Sequence, residues 1–323
     1  MTPHLLSLPT TCLVILAAGI GSGCQSQNRP VTASTVEVRS ELTIRDGNSD
    51  AILTWEEFLD RTTDVDVIVL GEEHDDATGH AVQLAVVEDV MDRRGGGTLA
   101  LEMLERDEQI LVDDHADGII DAEALAKATR STDWAGTGSW VAWYQPIIDA
   151  ALKRDGHVVA ANAPRRYVRL ARRDGWEAVE SLPANRAEFA TIPPEPIDGV
   201  YRERFFEVMQ PESHGDEEGV EETAGTEPDL SYIEPFYRAQ QVWDATMAES
   251  VAESLRVGGP PVILLVGRFH SDHHGGTVRE LERRLPDHSI LVVSLETERG
   301  DPLVAGQDIP QADVIVFTRS NKP

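Results

Sequence analysis

Two short segments of this chain carry side chains that could do chemistry together. Gly71–His74 has the sequence Gly-Glu-Glu-His, and Gly267–His270 has the sequence Gly-Arg-Phe-His. Each follows an apolar run, and each places a histidine three residues after a glycine. Imidazoles and carboxylates that meet in one site can exchange protons with water, or can hold a borderline divalent metal ion.

Two further apolar runs end in polar residues that could join these histidines. Glu102 lies near the end of one run, and Asn162 directly follows another. The carboxyl ends of parallel strands lie along one edge of a sheet, so these side chains are expected beside His74 and His270. The sequence therefore predicts one site that is shared by the ends of four strands.

Two kinds of chemistry stay open for this site. In a hydrolase, Glu72 or Glu73 would act as general base on water, with a histidine as acid or electrophile. In a metal protein, neutral imidazoles and carboxylates would suit Zn, Mn or Co. The chain has 2 cysteines, both in its first 24 residues, which excludes a thiol nucleophile or a thiolate metal site in the folded body. The sequence also has no Gly-x-Ser-x-Gly elbow and no Walker loop.

Strands and helices must alternate along the chain to position these residues. Val67–Leu70 and Val262–Val266 are apolar throughout, which is typical of strands buried on both faces. Glu234–Arg256 carries apolar residues mostly four apart, as one face of a long helix does. We therefore predict a single α/β domain with a mixed, mostly parallel sheet and helices on both faces.

Three helix assignments depend on particular residues. Asp76 or Thr78 is expected to cap a helix that runs through Met91. A second helix is predicted over 140–154 despite a proline within it. Thr277 and Glu280 have the spacing of a capping box, which predicts the start of a helix there.

The N-terminal segment predicts export from the cytoplasm. Leu5–Ile20 is mostly apolar and has the length of a signal-peptide core, and Gly21–Cys24 resembles a bacterial lipobox. We predict a signal peptide over 1–24, lipidation of Cys24 and a polar tether over 25–50. Because Gln25 rather than aspartate follows the cysteine, the predicted location is the periplasmic side of the outer membrane. The domain is expected over 51–323, with an acidic insertion at about 211–230.

The charge of the chain bears on its partners. The formal net charge is -29 at pH 7. Such an acidic surface repels phosphate backbones, so nucleic acid is excluded as a partner.

Taken together, the motifs resemble the ChaN-like haem-binding lipoproteins of iron uptake, in a superfamily with erythromycin esterases, TraB-type proteins and Tiki-type metalloproteases. The resemblance runs in order over about residues 60 to 295 and is carried by the following segments: Val69–Asp75, Ala100–Met103, Trp140 with Tyr144 and Pro146, Ala161–Arg165, Ala239-Gln240, Trp243-Asp244, Met247-Ala248, Val266-Gly267 and His270. The lipoprotein-like N-terminus agrees with it.

The resemblance implies haem as the cofactor, held at a homodimer interface by a tyrosine and a histidine. His74 and His270 are the candidate histidines, and Tyr144, Tyr232 and Tyr237 are candidate tyrosines by location only. The esterase and protease relatives imply hydrolysis instead, in some members with a divalent metal. Under that alternative the catalytic or metal-binding residues would be Glu73, His74, Glu102 and His270.

We therefore expect an exported, lipid-anchored protein that binds haem or another small-molecule ligand. A metal- or His/Glu-dependent hydrolase at the same strand ends is the alternative.

Overall fold

The computed structural model of the chain describes residues 34–210, 230–297 and 310–319. The predicted signal peptide, Cys24 and the acidic insertion up to residue 229 lie outside these ranges. Within the described ranges, no helix is long and apolar enough to cross a membrane.

The described residues form a domain of eight strands and twelve α-helices. The strands are β1 (Thr43–Asp46), β2 (Ile52–Leu53), β3 (Val67–Glu72), β4 (Thr98–Glu105), β5 (His157–Asn162), β6 (Val262–Gly267), β7 (Ile290–Glu296) and β8 (Val314–Phe317). The helices are α1 (Thr35–Glu41), α2 (Trp55–Asp60), α3 (Ala77–Arg94), α4 (Gln109–Ala116), α5 (Ala122–Ala128), α6 (Gln145–Leu152), α7 (Arg165–Asp174), α8 (Trp176–Glu180), α9 (Ala184–Ala187), α10 (Val200–Met209), α11 (Glu234–Gly258) and α12 (Gly276–Arg284).

All strands belong to one sheet, in the order β2-β1-β8-β7-β3-β6-β4-β5. The strands from β8 to β5 are parallel to one another, and β1 runs antiparallel to both β2 and β8. The predicted mixed, mostly parallel sheet is therefore confirmed. Strand β3 lies between β6 and β7, so the two glycine-histidine segments leave the sheet side by side.

Alternate side chains of each central strand enter different cores, which explains why these strands are apolar throughout. Ile68 and Leu70 pack on the face that is covered by α3 and α6, whereas Val67 and Val69 pack on the face covered by α11 and α12. Successive residues of a strand point to opposite sides, so a sheet with helices on both faces needs apolar residues at every position. The predicted helices on both faces are confirmed.

Three local features differ from the predictions. From residue 35 onward, the segment predicted as a tether forms α1 and β1, and β1 pairs with β8. The helix predicted over 140–154 begins with a π-helical turn, Trp140–Tyr144, and becomes α-helical at Gln145. Thr277 does not cap α12, because its hydroxyl donates to the carboxylate of Asp244, 2.9 Å away.

Candidate functional site

The carboxyl edge of the sheet brings the predicted strand-end residues together. His74 follows β3, Glu102 lies in β4, Asn162 ends β5 and His270 follows β6. The side-chain amide of Asn162 donates to the backbone carbonyl of Glu102, 2.9 Å away, and so fixes the end of β4 against β5. His74, Glu102 and His270 form the centre of the site.

One side of the site is a hydrogen-bonded set that we name the outer triad: Tyr144, Glu72 and His74. The Tyr144 hydroxyl donates to Glu72 Oε1 at 2.7 Å, and His74 Nδ1 lies 2.7 Å from the same oxygen. Glu72 is buried at the end of β3 and points to the α3 face, as Leu70 does. A buried carboxylate that binds Nδ1 fixes both the ring orientation and the tautomer of a histidine.

Residues of α3 and of the π-helical turn complete the surroundings of Glu72. Gln83 donates to Glu72 Oε2 at 2.5 Å, and His80 Nδ1 lies 3.7 Å from that oxygen. His80 stacks on Trp143, with ring centroids 4.8 Å apart. Burial alone would raise the pKa of Glu72, but the imidazoles of His80 and His74 and the bond from Gln83 lower it to about 2. Glu72 is therefore ionised at neutral pH.

His74 is the accessible member of the outer triad. Its side chain is 37% exposed, and Trp134 meets its ring edge-on with centroids 6.3 Å apart. Partial burial would lower the pKa of His74, but the hydrogen bond to Glu72 and the charge of Glu102 raise it to about 9. Within the described residues, His74 Nε2 makes no hydrogen bond, so Glu72 fixes one nitrogen of the ring and a ligand can reach the other once it has lost its proton.

The other side of the site repeats the same pattern, and we name it the inner triad: Tyr201, Asp244 and His270. The Tyr201 hydroxyl donates to Asp244 Oδ2 at 2.7 Å, and His270 Nδ1 lies 2.6 Å from Asp244 Oδ1. Gln240, one turn before Asp244 on α11, places its amide nitrogen 3.2 Å from His270 Nδ1. The three elements that build this triad are α10, α11 and the loop after β6.

The inner triad is enclosed by the protein. Asp244 is fully buried, and the side chain of His270 is only 10% exposed. Burial would lower the pKa of His270, but the charges of Asp244 and Glu102 outweigh it and hold the pKa above its ordinary value. Burial and the charge of Asp244 raise the pKa of Tyr201 well above its ordinary value, so this tyrosine stays protonated.

Glu102 lies between the two triads. Its Oε2 accepts from the backbone N–H of Gly267 at 2.6 Å, and its Oε1 lies 3.7 Å from His270 Nε2. A Cβ on Gly267 would come within 3.0 Å of His74 Nε2 and 3.5 Å of Glu102 Oε2. The glycine therefore keeps a small space between the imidazole and the carboxylate, in which an atom of a ligand or a water can reach both.

Glu73 lies apart from this group. Its carboxylate pairs with Arg268 at 3.1 Å and accepts from the Thr297 hydroxyl at 2.8 Å, on the β7 side of the edge. Within residues 34–210, 230–297 and 310–319, no three His, Cys, Asp or Glu side chains are placed to hold a metal ion. The metal alternative therefore finds no support, because Glu73 turns away and the Nδ1 atoms of His74 and His270 are bound by other carboxylates.

Two of the three candidate haem tyrosines, Tyr144 and Tyr237, are buried and already hydrogen-bonded, whereas Tyr232 is 49% exposed. Tyr144 donates to Glu72, and Tyr237 donates to the carbonyl of Ile197. Tyr237 also lines a surface cavity of about 650 Å³ between α7, α10 and α11, which none of the triad residues lines. A second cavity, of about 480 Å³, lies beside α2 and α3.

Sequence reasoning missed two carboxylates and one tyrosine of the site: Glu72 was not preferred over Glu73, and Asp244 and Tyr201 were not assigned. The alternation of β3 is a signal for Glu72, because it places residue 72 on the face of Leu70. Asp244 lies one turn from Gln240 on a helix face that is otherwise mostly apolar. Tyr201 has no such signal, since it is separated from Asp244 by 43 residues.

Comparison with solved structures supports the fold. ChaN of Campylobacter jejuni, a protein that binds haem cofacially, superimposes with a TM-score of 0.60 at 17% identity, over 86% of this chain and 97% of that one. The type III effector HopBA1 matches with a TM-score of 0.43 at 12% identity, over 82% of this chain and 93% of that one. A comparison with curated proteins finds no significant match.

The sequence itself matches a family model. The model describes haem-binding uptake proteins of the ChaN type within the Tiki superfamily, and residues 58–281 match it. The matched range begins in α2 and ends in α12, so it contains both triads and Glu102. The chain therefore belongs to the ChaN family of haem-binding uptake proteins.

Proposed function

We propose that this protein binds haem and that His74 is its iron ligand. The observation that carries the proposal is the state of the His74 ring: Nδ1 is held by buried Glu72, Nε2 is free of described partners, and the side chain is 37% exposed. Haem iron is often held by a histidine whose other nitrogen is fixed in this way. Membership of the family and the fold shared with Campylobacter jejuni ChaN support the ligand.

Tyr144 and Tyr237 fit an iron ligand less well than His74 does. Tyr144 is fully buried and its hydroxyl already donates to Glu72, so iron could reach this oxygen only by breaking that hydrogen bond. Tyr237 is 2% exposed. His270 is also disfavoured, because its ring is enclosed beside Glu102. We therefore propose His74 as the iron ligand in preference to Tyr144, Tyr237 and His270.

Haem titration of the purified protein tests this proposal. We expect a saturable Soret band, which the His74→Ala variant should lose or show only at much higher haem concentration. His288→Ala is the matched control, since this histidine is exposed just before β7 and should not affect binding. A flat titration of the parent protein, or equal binding by His74→Ala, would refute the proposal.

We propose acid–base hydrolysis as a second candidate, because Glu102 lies between two histidines. Each histidine has a buried carboxylate at Nδ1. His270 Nε2 lies 3.7 Å from Glu102 Oε1, and His74 Nε2 and Glu102 Oε2 both lie within 3.5 Å of the point that a Cβ on Gly267 would occupy. A water in that space could lose a proton to Glu102 as general base, while a protonated histidine donates one to the leaving group. Ligation of one iron would require only one of the two histidines, so the second histidine and Glu102 favour this second candidate.

A panel of ester and peptide substrates tests the second candidate. Turnover by the parent protein should be abolished in Glu102→Ala and in His270→Ala, and should persist in the Glu73→Ala variant because Glu73 lies apart from the site. Equal turnover by Glu102→Ala and the parent would exclude this role for Glu102.

We also propose that the protein is exported, acylated at Cys24, anchored at the periplasmic side of the outer membrane, and dimeric when haem is bound. The apolar N-terminal segment and the lipobox-like residues before Cys24 support the anchor. Mass spectrometry of the N-terminal peptide and fractionation of a Cys24→Ala variant test the lipid anchor.

Light scattering with and without haem tests the proposed dimer.

A further inference from the structure

A second group on this edge could recognise a ligand that reaches His74. Arg165 is the first residue of α7, which begins three residues after the end of β5. Its guanidinium lies over the indole ring of Trp134, 4.5 Å from the ring centroid. The same indole meets the His74 ring edge-on. Trp134 therefore contacts both the imidazole of His74 and the guanidinium of Arg165.

The guanidinium of Arg165 is held on two sides. Its Nη1 donates to Glu105 Oε1 at 3.1 Å, and Trp134 covers one of its faces. Within the described residues, Nε and Nη2 donate to no acceptor, and the side chain is 33% exposed. These two nitrogens form one edge of the guanidinium, which is the edge that binds a carboxylate through two parallel hydrogen bonds.

The neighbouring arginine differs in this respect. Arg166 Nη2 donates to Asp107 Oδ2 at 2.6 Å, and its Nη1 lies 3.9 Å from Glu105. Its guanidinium lies over the ring of Tyr167, whereas that of Arg165 lies over Trp134. Of these two neighbouring arginines, Arg165 therefore has a free Nε–Nη2 edge and lies near His74. Arg166 serves as the control.

We propose that the Nε–Nη2 edge of Arg165 binds a carboxylate of the ligand, and that in haem this carboxylate is a propionate. The inference rests on the proposed haem function. Because Glu105 and Trp134 already hold the guanidinium, little side-chain entropy is lost when a carboxylate binds. His74 and Arg165 contact one indole, so a planar ligand the size of a porphyrin can reach both at once.

Titration of the full-length protein with haemin and with haemin dimethyl ester tests this inference, since esterification removes the charge of both propionates. We expect the parent protein to bind haemin at least about tenfold more tightly than the ester, the effect of a charge-assisted hydrogen bond. Arg165→Ala should bind both compounds with the affinity that the parent shows for the ester. Arg166→Ala should behave like the parent, and Arg165→Lys should retain only part of the preference because lysine lacks the fork.

The outcomes separate the inference from the proposed function. Parent protein that binds both compounds equally, or Arg165→Ala that keeps the full preference for haemin, overturns the carboxylate site and leaves haem binding intact. Parent protein that binds neither compound overturns the haem function and this inference with it. If Arg165→Ala has the same melting temperature as the parent protein, a lost preference for haemin does not come from unfolding.

Discussion

The outer and inner triads use the same three kinds of group, a tyrosine, a carboxylate and a histidine, in two different environments. The outer histidine, His74, is 37% exposed, whereas the side chain of the inner one, His270, is 10% exposed. Glu72 and His74 are two residues apart, but Asp244 and His270 come together from α11 and the loop after β6. Burial, and not the hydrogen-bond pattern, therefore distinguishes the two triads.

Because they differ in burial, the outer and inner triads are suited to different roles. A fixed imidazole with an open Nε2 suits ligation, so the outer triad can hold a ligand at the surface. The inner histidine faces Glu102 and has no comparable access. It can exchange a proton with Glu102 or stabilise that carboxylate, but a large ligand such as haem does not reach it.

The largest expected effect is on stability, and it should differ between the two histidines. His270→Ala leaves Asp244 fully buried without the imidazole at its Oδ1, and we expect a loss of about 3 kcal/mol in the free energy of unfolding. His74→Ala should cost about 1 kcal/mol, because water can replace an exposed ring while Tyr144 and Gln83 still bind Glu72. Urea unfolding measures both, and a larger loss for His74→Ala would contradict the comparison.

The second prediction concerns the glycine between the triads. In Gly267→Ala the new methyl group would lie about 3.0 Å from His74 Nε2, so the imidazole must move. We expect roughly tenfold weaker haem binding, with the loss of stability limited to about 1–3 kcal/mol for the overpacked site. Haem titration and urea unfolding check the two effects. Unchanged haem affinity would show that Nε2 does not face the iron.

Removing one hydroxyl from each triad gives a smaller and more selective effect. Tyr144→Phe removes a donor to Glu72, which should loosen His74 and weaken haem binding by a few fold. Tyr201→Phe removes the equivalent donor to Asp244 and should leave haem binding unchanged. Each variant should lose about 1–2 kcal/mol of stability. Equal effects on haem affinity would mean that the triads are not separate in function.

The smallest expected effect is a dependence of stability on pH. The pKa of His74 is raised from 6.5 to about 9, so its contribution to stability is complete below pH 6.5 and is lost as the pH rises through about 9. The pKa of Glu72 is lowered from 4.5 to about 2, so its contribution is present above pH 4.5 and is lost as the pH falls through about 2. The difference in melting temperature between the parent and His74→Ala should therefore shrink between pH 7 and pH 10. A difference in melting temperature that stays constant from pH 7 to pH 10 would contradict the pairing of His74 with Glu72.

Most of the fold could be predicted from the sequence because its signals are local. The uninterrupted apolar residues of β3 and β6 predicted buried parallel strands, and the apolar stripe of α11 predicted a long helix. The start of the domain was not predicted, because α1 and β1 are stabilised by α3 and β8 rather than by their own sequence. The π-helical turn at Trp140 also had no local signal.

Part of the site could likewise be predicted from local patterns in the sequence, and part of it could not. Its location followed from the sequence alone, because parallel strands must deliver His74, Glu102 and His270 to one edge. The choice of Glu72 over Glu73 was decided by which face of the sheet each side chain enters. The inner triad was decided only by the tertiary structure, since Tyr201, Asp244 and His270 lie on separate elements. Patterns within one strand or helix fix the direction of a side chain, but which distant partner it meets depends on how the helices pack against the sheet.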